Sequence, residues 1–262
     1  LGGNITAPSS KSYSHRAFVA ASLASGVSVI NNPLTLGDVQ ITMELLKQLR
    51  VRILEKSKTS YIVERSPQSF NPMYQPLNCG NSGTTMRILS AFSLLVEGGL
   101  TLTGEFLKRN RPIRSLLDAL KSLGGTHKFQ GNKLHVQRVQ KSCNPVMIPG
   151  HVSSQFITAL LMIGPSLPCN NTSYIEIEVV TPLVSYPYVK ITLDVLKSFG
   201  INVLEELRED GTATYAIHEH QQYRPQVFDV PGDFSSAAFP MVAAVLCPEE
   251  SEVFIRNLDL DT

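Results

Sequence analysis

The segment Ser9-Ser10-Lys11-Ser12-Tyr13-Ser14-His15-Arg16 holds four serines, a lysine and an arginine in eight residues, and an apolar run from Ala17 to Leu23 follows at once. Small polar residues ahead of an apolar run mark a helix N-terminus. Such an end leaves backbone N–H groups unpaired and carries partial positive charge, so it attracts anions. Two readings are open. In one, Lys11 and Arg16 add full charges and directed donors to a phosphate or carboxylate site. In the other, a serine simply caps the helix and the basic side chains are solvated.

The same order recurs three times. Gly80-Asn81-Ser82-Gly83-Thr84-Thr85-Met86-Arg87 precedes the run Ile88 to Val96. His151-Val152-Ser153-Ser154-Gln155 precedes Phe156 to Ile163, and Gly232-Asp233-Phe234-Ser235-Ser236 precedes Ala237 to Leu246. Each run is apolar on nearly every face, which predicts a buried helix. His15 and His151 sit at these clusters. No Gly-x-x-x-x-Gly-Lys-Ser/Thr loop is present, which argues against a Walker-type nucleotide site.

The elements that would position these clusters repeat along the chain. Leu46-Lys47-Gln48-Leu49, Leu120-Lys121-Ser122-Leu123 and Leu196-Lys197-Ser198-Phe199 end three amphipathic segments, with lysines 74 and 76 positions apart. A fixed period of this kind is an internal repeat. In the second repeat Ile113, Leu116, Leu117, Leu120 and Leu123 fall on one helical face, and Pro112 suits the first turn. After each apolar helix comes a strand-like run: Val27 to Asn31, Leu100 to Thr103, Tyr174 to Val180. Each amphipathic helix is followed by two strands and a turn. The pairs are Val51–Leu54 with Tyr61–Glu64, His127–Gln130 with Lys133–Gln137, and Asn202–Glu205 with Thr214–His218. Gly131-Asn132 and Asp210-Gly211 are hairpin signals. With a leading strand, the unit is β-α-β-α-β-β. The chain is expected to hold three complete units in pseudo-threefold arrangement and the opening of a fourth near Gln226.

Composition narrows the function. The chain has 262 residues, 43% of them hydrophobic, and a formal net charge of +1. That size admits one large domain, or one domain and part of another. No global field recruits nucleic acid or an anionic membrane. No apolar run reaches transmembrane length and no signal-peptide pattern stands in the chain; it opens with Leu1, so residues upstream are expected. Cys79, Cys143, Cys169 and Cys247 show no Cys-x-x-Cys spacing. They read as four free thiols of a reducing cytoplasm, not as a zinc site.

These residues resemble the 5-enolpyruvylshikimate-3-phosphate synthase family, the shikimate-pathway enzymes that are the target of glyphosate. The resemblance runs along the whole chain and rests on six motifs in order. Pro8 to Arg16 is similar to the family's lysine-serine-x-x-x-arginine segment, and Gly80 to Arg87 to its Gly-Asn-Ser/Ala-Gly-Thr-x-x-Arg loop. Leu102-Thr103-Gly104-Glu105 with Arg111-Pro112-Ile113, and Val152 to Leu161, match two more. Val184-Ser185-x-Pro187-Tyr188 and Gly232-Asp233-x-Ser235-Ser236-Ala237 complete the series.

The resemblance implies an α/β (α+β) enolpyruvyl transferase fold of two similar domains, each of three βαβαββ units around buried helices. Residues 1–9 would be the first strand of a split domain, 10–228 a complete domain, and 229–262 the start of the return. It implies transfer of an enolpyruvyl group from phosphoenolpyruvate to the 5-hydroxyl of shikimate 3-phosphate, releasing phosphate, in aromatic amino acid (chorismate) biosynthesis. Ser153, Ser154 and Ser185 would bind the shikimate phosphate; Ser12, Arg16 and Tyr188 would hold the rest. Lys11, Gly83, Arg111 and Gln155 would meet phosphoenolpyruvate, with Lys11 and Gln155 also against shikimate 3-phosphate. Lys11 would be catalytic, by stabilising charge or donating a proton. Arg87 and Asn81 would brace the loop, and Asp38 and Glu105 would orient. No cofactor or metal is implied, only small-molecule substrates and a cytoplasmic monomer without nucleic acid or membrane.

His15 stands where many members have Asn, and Ile88 where many have Pro. The family's acidic acid/base residues belong to the later second domain, so this chain is expected to be the substrate-binding half, inactive alone. Two alternatives stand beside this reading. A UDP-N-acetylglucosamine enolpyruvyl transferase shares the architecture but carries a reactive cysteine in the loop matching Thr103–Arg111, where this chain has none. A non-catalytic fragment that captures phosphorylated ligands is the other.

Overall fold

The computed structural model describes residues 1–66, 70, 74–219, 221–247 and 250–258. It opens with β1 (Gly2–Thr6). The first repeat follows as α1 (Lys11–Leu23), β2 (Gly26–Asn31), α2 (Asp38–Gln48), β3 (Arg52–Ser57) and β4 (Ser60–Arg65). The second is β5 (Leu77–Asn78), α3 (Gly83–Phe92), β6 (Leu100–Thr103), α4 (Glu105–Lys108), α5 (Arg114–Ser122), β7 (Gly125–Gln130) and β8 (Lys133–Arg138). The third is β9 (Val146–Ile148), α6 (Ser154–Ile163), β10 (Tyr174–Val179), α7 (Tyr186–Ser198), β11 (Val203–Leu207) and β12 (Ala213–His218). Then come β13 (Val227–Asp229), α8 (Phe234–Leu246) and β14 (Glu252–Arg256).

Three four-stranded sheets share one topology, with orders β5-β6-β8-β7, β9-β10-β12-β11 and β13-β2-β4-β3. In each, the leading strand runs parallel to its neighbour and a hairpin completes the sheet antiparallel. Gly131, at φ 56°, takes the first turn position of the β7–β8 hairpin. The strand near Gln226 does not open a fourth unit. β13 lies beside β2, with Val227 opposite Val29, and so supplies the first repeat's leading strand. That edge is open because β1 pairs with β14 instead, Gly2 opposite Glu252, and an unpaired edge leaves backbone donors and acceptors unsatisfied.

The Leu-Lys landmarks are equivalent helix ends. The backbone N–H groups of Leu49, Leu123 and Phe199 donate to the carbonyls of Leu46, Leu120 and Leu196. The next residues, Arg50, Gly124 and Gly200, are left-handed at φ 69°, 77° and 83°, the conformation that ends a helix by satisfying its last carbonyls.

α1, α3 and α6 form the centre. They are buried along almost their whole length, which is why their sequences carry no polar stripe. Ser10, Ser82 and Ser153 cap their N-termini, accepting from the N–H groups of Tyr13, Thr85 and Gln155. The three helices run in one direction: side-chain bonds within their first two turns join α1 to α6 (Arg16–Thr158), α3 to α6 (Arg87–Gln155) and α1 to α3 by way of Thr42 of α2, while Leu23, Leu94 and Ser166, at or just past their far ends, line one cavity.

Two expectations fail. The apolar run of α8 is not buried: Ala237 is covered, but Phe239, Val245 and Leu246 are 80%, 83% and 75% exposed. Its packing is chiefly against β14, on one side. Nor are all four cysteines free. Cys143 and Cys169 form a disulfide with Cα atoms 5.5 Å apart; Cys79 and Cys247 remain thiols. Linear spacing hid the pair. Cys143 precedes β9 and Cys169 precedes β10, and these strands are parallel neighbours, so the segments leading into them converge.

Candidate active site

The residues singled out in the sequence gather at the N-terminal ends of the central helices. Lys11 is the first residue of α1, Gly83 of α3 and Ser154 of α6. Gln155 follows Ser154, and Arg111 lies in the turn before α5.

Arg87, in the second turn of α3, donates through Nε and Nη2 to the Pro112 carbonyl at 3.2 and 2.8 Å, and through Nη1 to Gln155 Oε1. Arg111 donates to the Asn81 carbonyl at 2.8 Å. Both guanidiniums lie over the Phe106 ring, 5.1 and 4.9 Å from its centroid. They come this close to the helix end because residue 83 is glycine: a Cβ there would stand 3.0 Å from a terminal nitrogen of each. No carboxylate pairs with either among the described residues. Burial, and then the charge of Arg111, lower the Arg87 pKa to about 10, still ionised at neutral pH. Two adjacent cations at a helix N-terminus leave a strongly positive site that an anion would relieve. Arg111 keeps most of its donors unspent and is partly exposed.

Lys11 extends this patch. Its Nζ lies 3.6 Å from Asp38 Oδ2, and its side chain is half exposed. Asp38 thus orients the lysine. Glu105 is bound to Lys108 at 2.6 Å and does not reach the arginines. Asp233 caps α8 by accepting from Ser236.

Arg16 is placed differently. Only 2% exposed, it donates to Thr192 Oγ1, Thr158 Oγ1 and the carbonyls of Ser12 and Tyr188. Four of its five N–H groups are spent, three on joining α1 to α6 and α7 and one on the Ser12 carbonyl of its own helix, and one is left. Burial lowers its pKa to about 10. Tyr188 offers its carbonyl to Arg16 and keeps its ring 40% exposed. Ser185 is the exposed N-cap of α7, left-handed at φ 63° and without a capping bond, so its hydroxyl is free for a ligand. Ser153 is half-buried and Ser154 buried at the start of α6.

The threonines went unnoticed in the sequence. Thr158 Oγ1 and Thr192 Oγ1 are 2.8 Å apart beneath Arg16. A chain of contacts runs from His15 Nδ1 to Thr42 (2.9 Å), Thr85 (2.8 Å) and Ser82 (2.7 Å). Thr on otherwise apolar helix faces was the available signal. Phe106, the shared platform, was signalled only by its place next to the Gly104-Glu105 motif.

His15 is 1% exposed, and its Nε2 has no partner among the described residues. Of the two neutral tautomers, a proton on Nδ1, donated to Thr42, leaves Nε2 with a bare lone pair in place of a buried unpaired N–H, and is the one this geometry favours. Burial, then Arg16 and Lys11, push its pKa down to about 3. The unfolded value is about 6.5. Between these values the unfolded chain binds a proton that the folded chain refuses. Stability therefore rises with pH from about 3 to 6.5 and is level above, a span on the order of 4 kcal/mol. We expect His15→Asn to remove this slope, read as urea unfolding free energies of both proteins from pH 4 to 7. Parallel profiles would mean that His15 is not held neutral.

Residues 1–262 match the family model of EPSP synthase (3-phosphoshikimate 1-carboxyvinyltransferase). A 3-phosphoshikimate 1-carboxyvinyltransferase of Methanococcus maripaludis (strain C5) is 39% identical over 265 residues, covering 99% of this chain and 59% of that protein. One from Methanocaldococcus jannaschii is 39% identical over 268 residues, covering 98% and 58%. In fold the chain is similar to the structure of EPSP synthase from Acinetobacter baumannii, with a TM-score of 0.81 at 21% identity, covering 99% of this chain and 56% of that one. The chain spans about 59% of the length of the curated relatives it matches.

Proposed function

The chain belongs to the EPSP synthase family, and on that premise we propose that it carries one wall of the active site for enolpyruvyl transfer from phosphoenolpyruvate to shikimate 3-phosphate. The observation that carries this reading is the Arg87–Arg111 pair over Phe106 at the start of α3, two cations that pair with no carboxylate among the described residues. Arg111, the Gly83 end of α3, Gln155 and Lys11 would hold phosphoenolpyruvate. Ser153, Ser154 and Ser185 would take the phosphate of shikimate 3-phosphate. Ser12, Tyr188 and the remaining donor of Arg16 would hold its ring, with Lys11 and Gln155 between the substrates. When the 5-hydroxyl adds to the enolpyruvyl carbon and phosphate leaves, Lys11 would stabilise developing charge or supply a proton. The relatives' names favour this over the UDP-N-acetylglucosamine reaction.

Residues 10–228 would form one domain, with 1–9 and 229–262 in a second. Support comes from β1 and β14, which pair with each other and with no strand of the three larger sheets. No helix among the described residues is long and apolar enough to cross a membrane. The protein would act as a monomer in the cytoplasm. A reducing cytoplasm would keep Cys143 and Cys169 as thiols.

Calorimetric titration with shikimate 3-phosphate tests the assignment. One hydrogen bond to a charged group contributes about 1.5–3 kcal/mol, so Ser154→Ala and Arg16→Ala should each weaken binding roughly 10- to 100-fold. Unchanged affinity in both variants would reject it.

A further inference from the structure

The geometry points to a second ligand site at the opposite end of the central helices, a cavity suited to an organic carboxylate with an apolar body. α1 is 13 residues long, so this end lies about 20 Å from the substrate face. The cavity measures about 630 Å³, within the range of small-molecule sites. Much of its lining is apolar: Leu23, Leu94, Leu95, Val96, Val139 and Pro168.

Its rim is cationic. Arg65 lies 4.4 Å above the Phe70 ring and spends Nη1 on the Leu23 carbonyl at 2.9 Å. Its Nε is buried without a partner among the described residues. Arg138 donates through Nε to the Leu123 carbonyl and through Nη2 to Cys143 Sγ, which leaves Nη1 unspent. Lys141 is the third cation. None of the three pairs with a carboxylate among the described residues. Glu97 is the one acid on the lining, so positive charge prevails.

Helix C-termini oppose an anion through their free carbonyls, but here one carbonyl at each end is taken and the three cations of the rim outweigh the rest. Arg65 takes that of Leu23, and tight turns take those of Ser93 and Gly164 through Val96 and Leu167 N–H. The walls are held in place. The Asn170 N–H to Lys141 carbonyl bond (2.8 Å), with the Asn171 side chain accepting from the Cys143 N–H (2.8 Å) and donating to the Cys143 carbonyl (3.0 Å), ties the Arg138–Lys141 segment to the Pro168 side whether Cys143 and Cys169 are thiols or joined, so little ordering is needed on binding. An inorganic anion would leave the open apolar lining uncovered. A ring carboxylate would place its body against Leu95, Val139 and Pro168, which are not fully buried, and its charge in the guanidinium forks.

The probe is naphthalene-2-carboxylate, titrated calorimetrically into the purified protein. Saturable one-to-one binding is expected, at least 10-fold weaker in Lys141→Glu and in Arg138→Gln, with thermal unfolding showing both variants folded. Naphthalene-2-carboxamide and inorganic phosphate should each bind at least 10-fold more weakly. Arg111→Met, at the other end of the helices, should leave the probe's affinity unchanged. The site is overturned by an absence of saturable binding, by equal affinity for the carboxamide or for phosphate, by unchanged affinity in both rim variants, or by loss in Arg111→Met.

Discussion

A phosphate-release assay on the polypeptide Leu1–Thr262, supplied with shikimate 3-phosphate and phosphoenolpyruvate, is expected to give no turnover above background. Enolpyruvyl transfer needs, besides Lys11, an acidic acid/base group placed against the reacting carbons, and the three acids that stand in or beside the motifs are engaged elsewhere. Asp38 is drawn to Lys11 at 3.6 Å, Glu105 is bound to Lys108, and Asp233 caps α8. The cradle is also open to water: Lys11 is half exposed, Ser185 exposed, and the Tyr188 ring 40% exposed. Closing a site over its substrates expels water and strengthens every charge interaction within it. A polypeptide extended to the full length of the relatives should therefore gain turnover by several orders of magnitude, and lose it again in Lys11→Met. The exposed apolar residues of α8, Phe239, Val245 and Leu246, should become covered in the longer protein. Robust turnover by Leu1–Thr262 that depends on Lys11 would place the acid/base group on this wall, with Asp38, Glu105 and Asp233 the next residues to replace.

In an enzyme that carries this chain and turns over, Arg111→Met is expected to lower affinity for phosphoenolpyruvate by at least about 100-fold, the worth of two charge-assisted hydrogen bonds at the low end of their range. Stability of the unliganded protein changes by less than about 1 kcal/mol. The variant loses a bond to the Asn81 carbonyl and the contact with Phe106, but it also removes the charge that depresses the Arg87 pKa, and such terms are similar in size. Substrate titration and thermal unfolding of the same preparation separate the two effects. A large fall in melting temperature with affinity retained would make Arg111 a brace and not a ligand.

Most of the repeat was legible in the chain. The Leu-Lys landmarks ended equivalent helices because a helix C-terminus needs its own local chemistry, a last amphipathic turn and a left-handed residue after it, as at Arg50, Gly124 and Gly200. The three central helices were legible because burial on every side demands apolar residues on every face, and the polar clusters before them were legible as N-caps. The motifs also placed Lys11, Gly83, Arg111, Ser153, Ser154, Gln155, Ser185 and Tyr188 at helix ends or in the turns beside them.

What the chain did not display was decided by distance in space between residues far apart in sequence. Val227 lies opposite Val29 because β1 leaves that edge for β14, which no local pattern encodes. Cys143 meets Cys169 because two parallel strands bring their leading segments together. Arg16 became a fully buried clamp, and not a mainly exposed ligand, because Thr158, Thr192 and the Tyr188 carbonyl converge on it from other repeats. Helices and caps follow from interactions within a few residues, so the sequence alone determined them. Sheet closure and the division of each arginine's donors between structure and ligand depend on contacts between repeats or along most of the chain, and the disulfide on two segments 26 residues apart that a parallel strand pair brings together, so only the tertiary structure decided them.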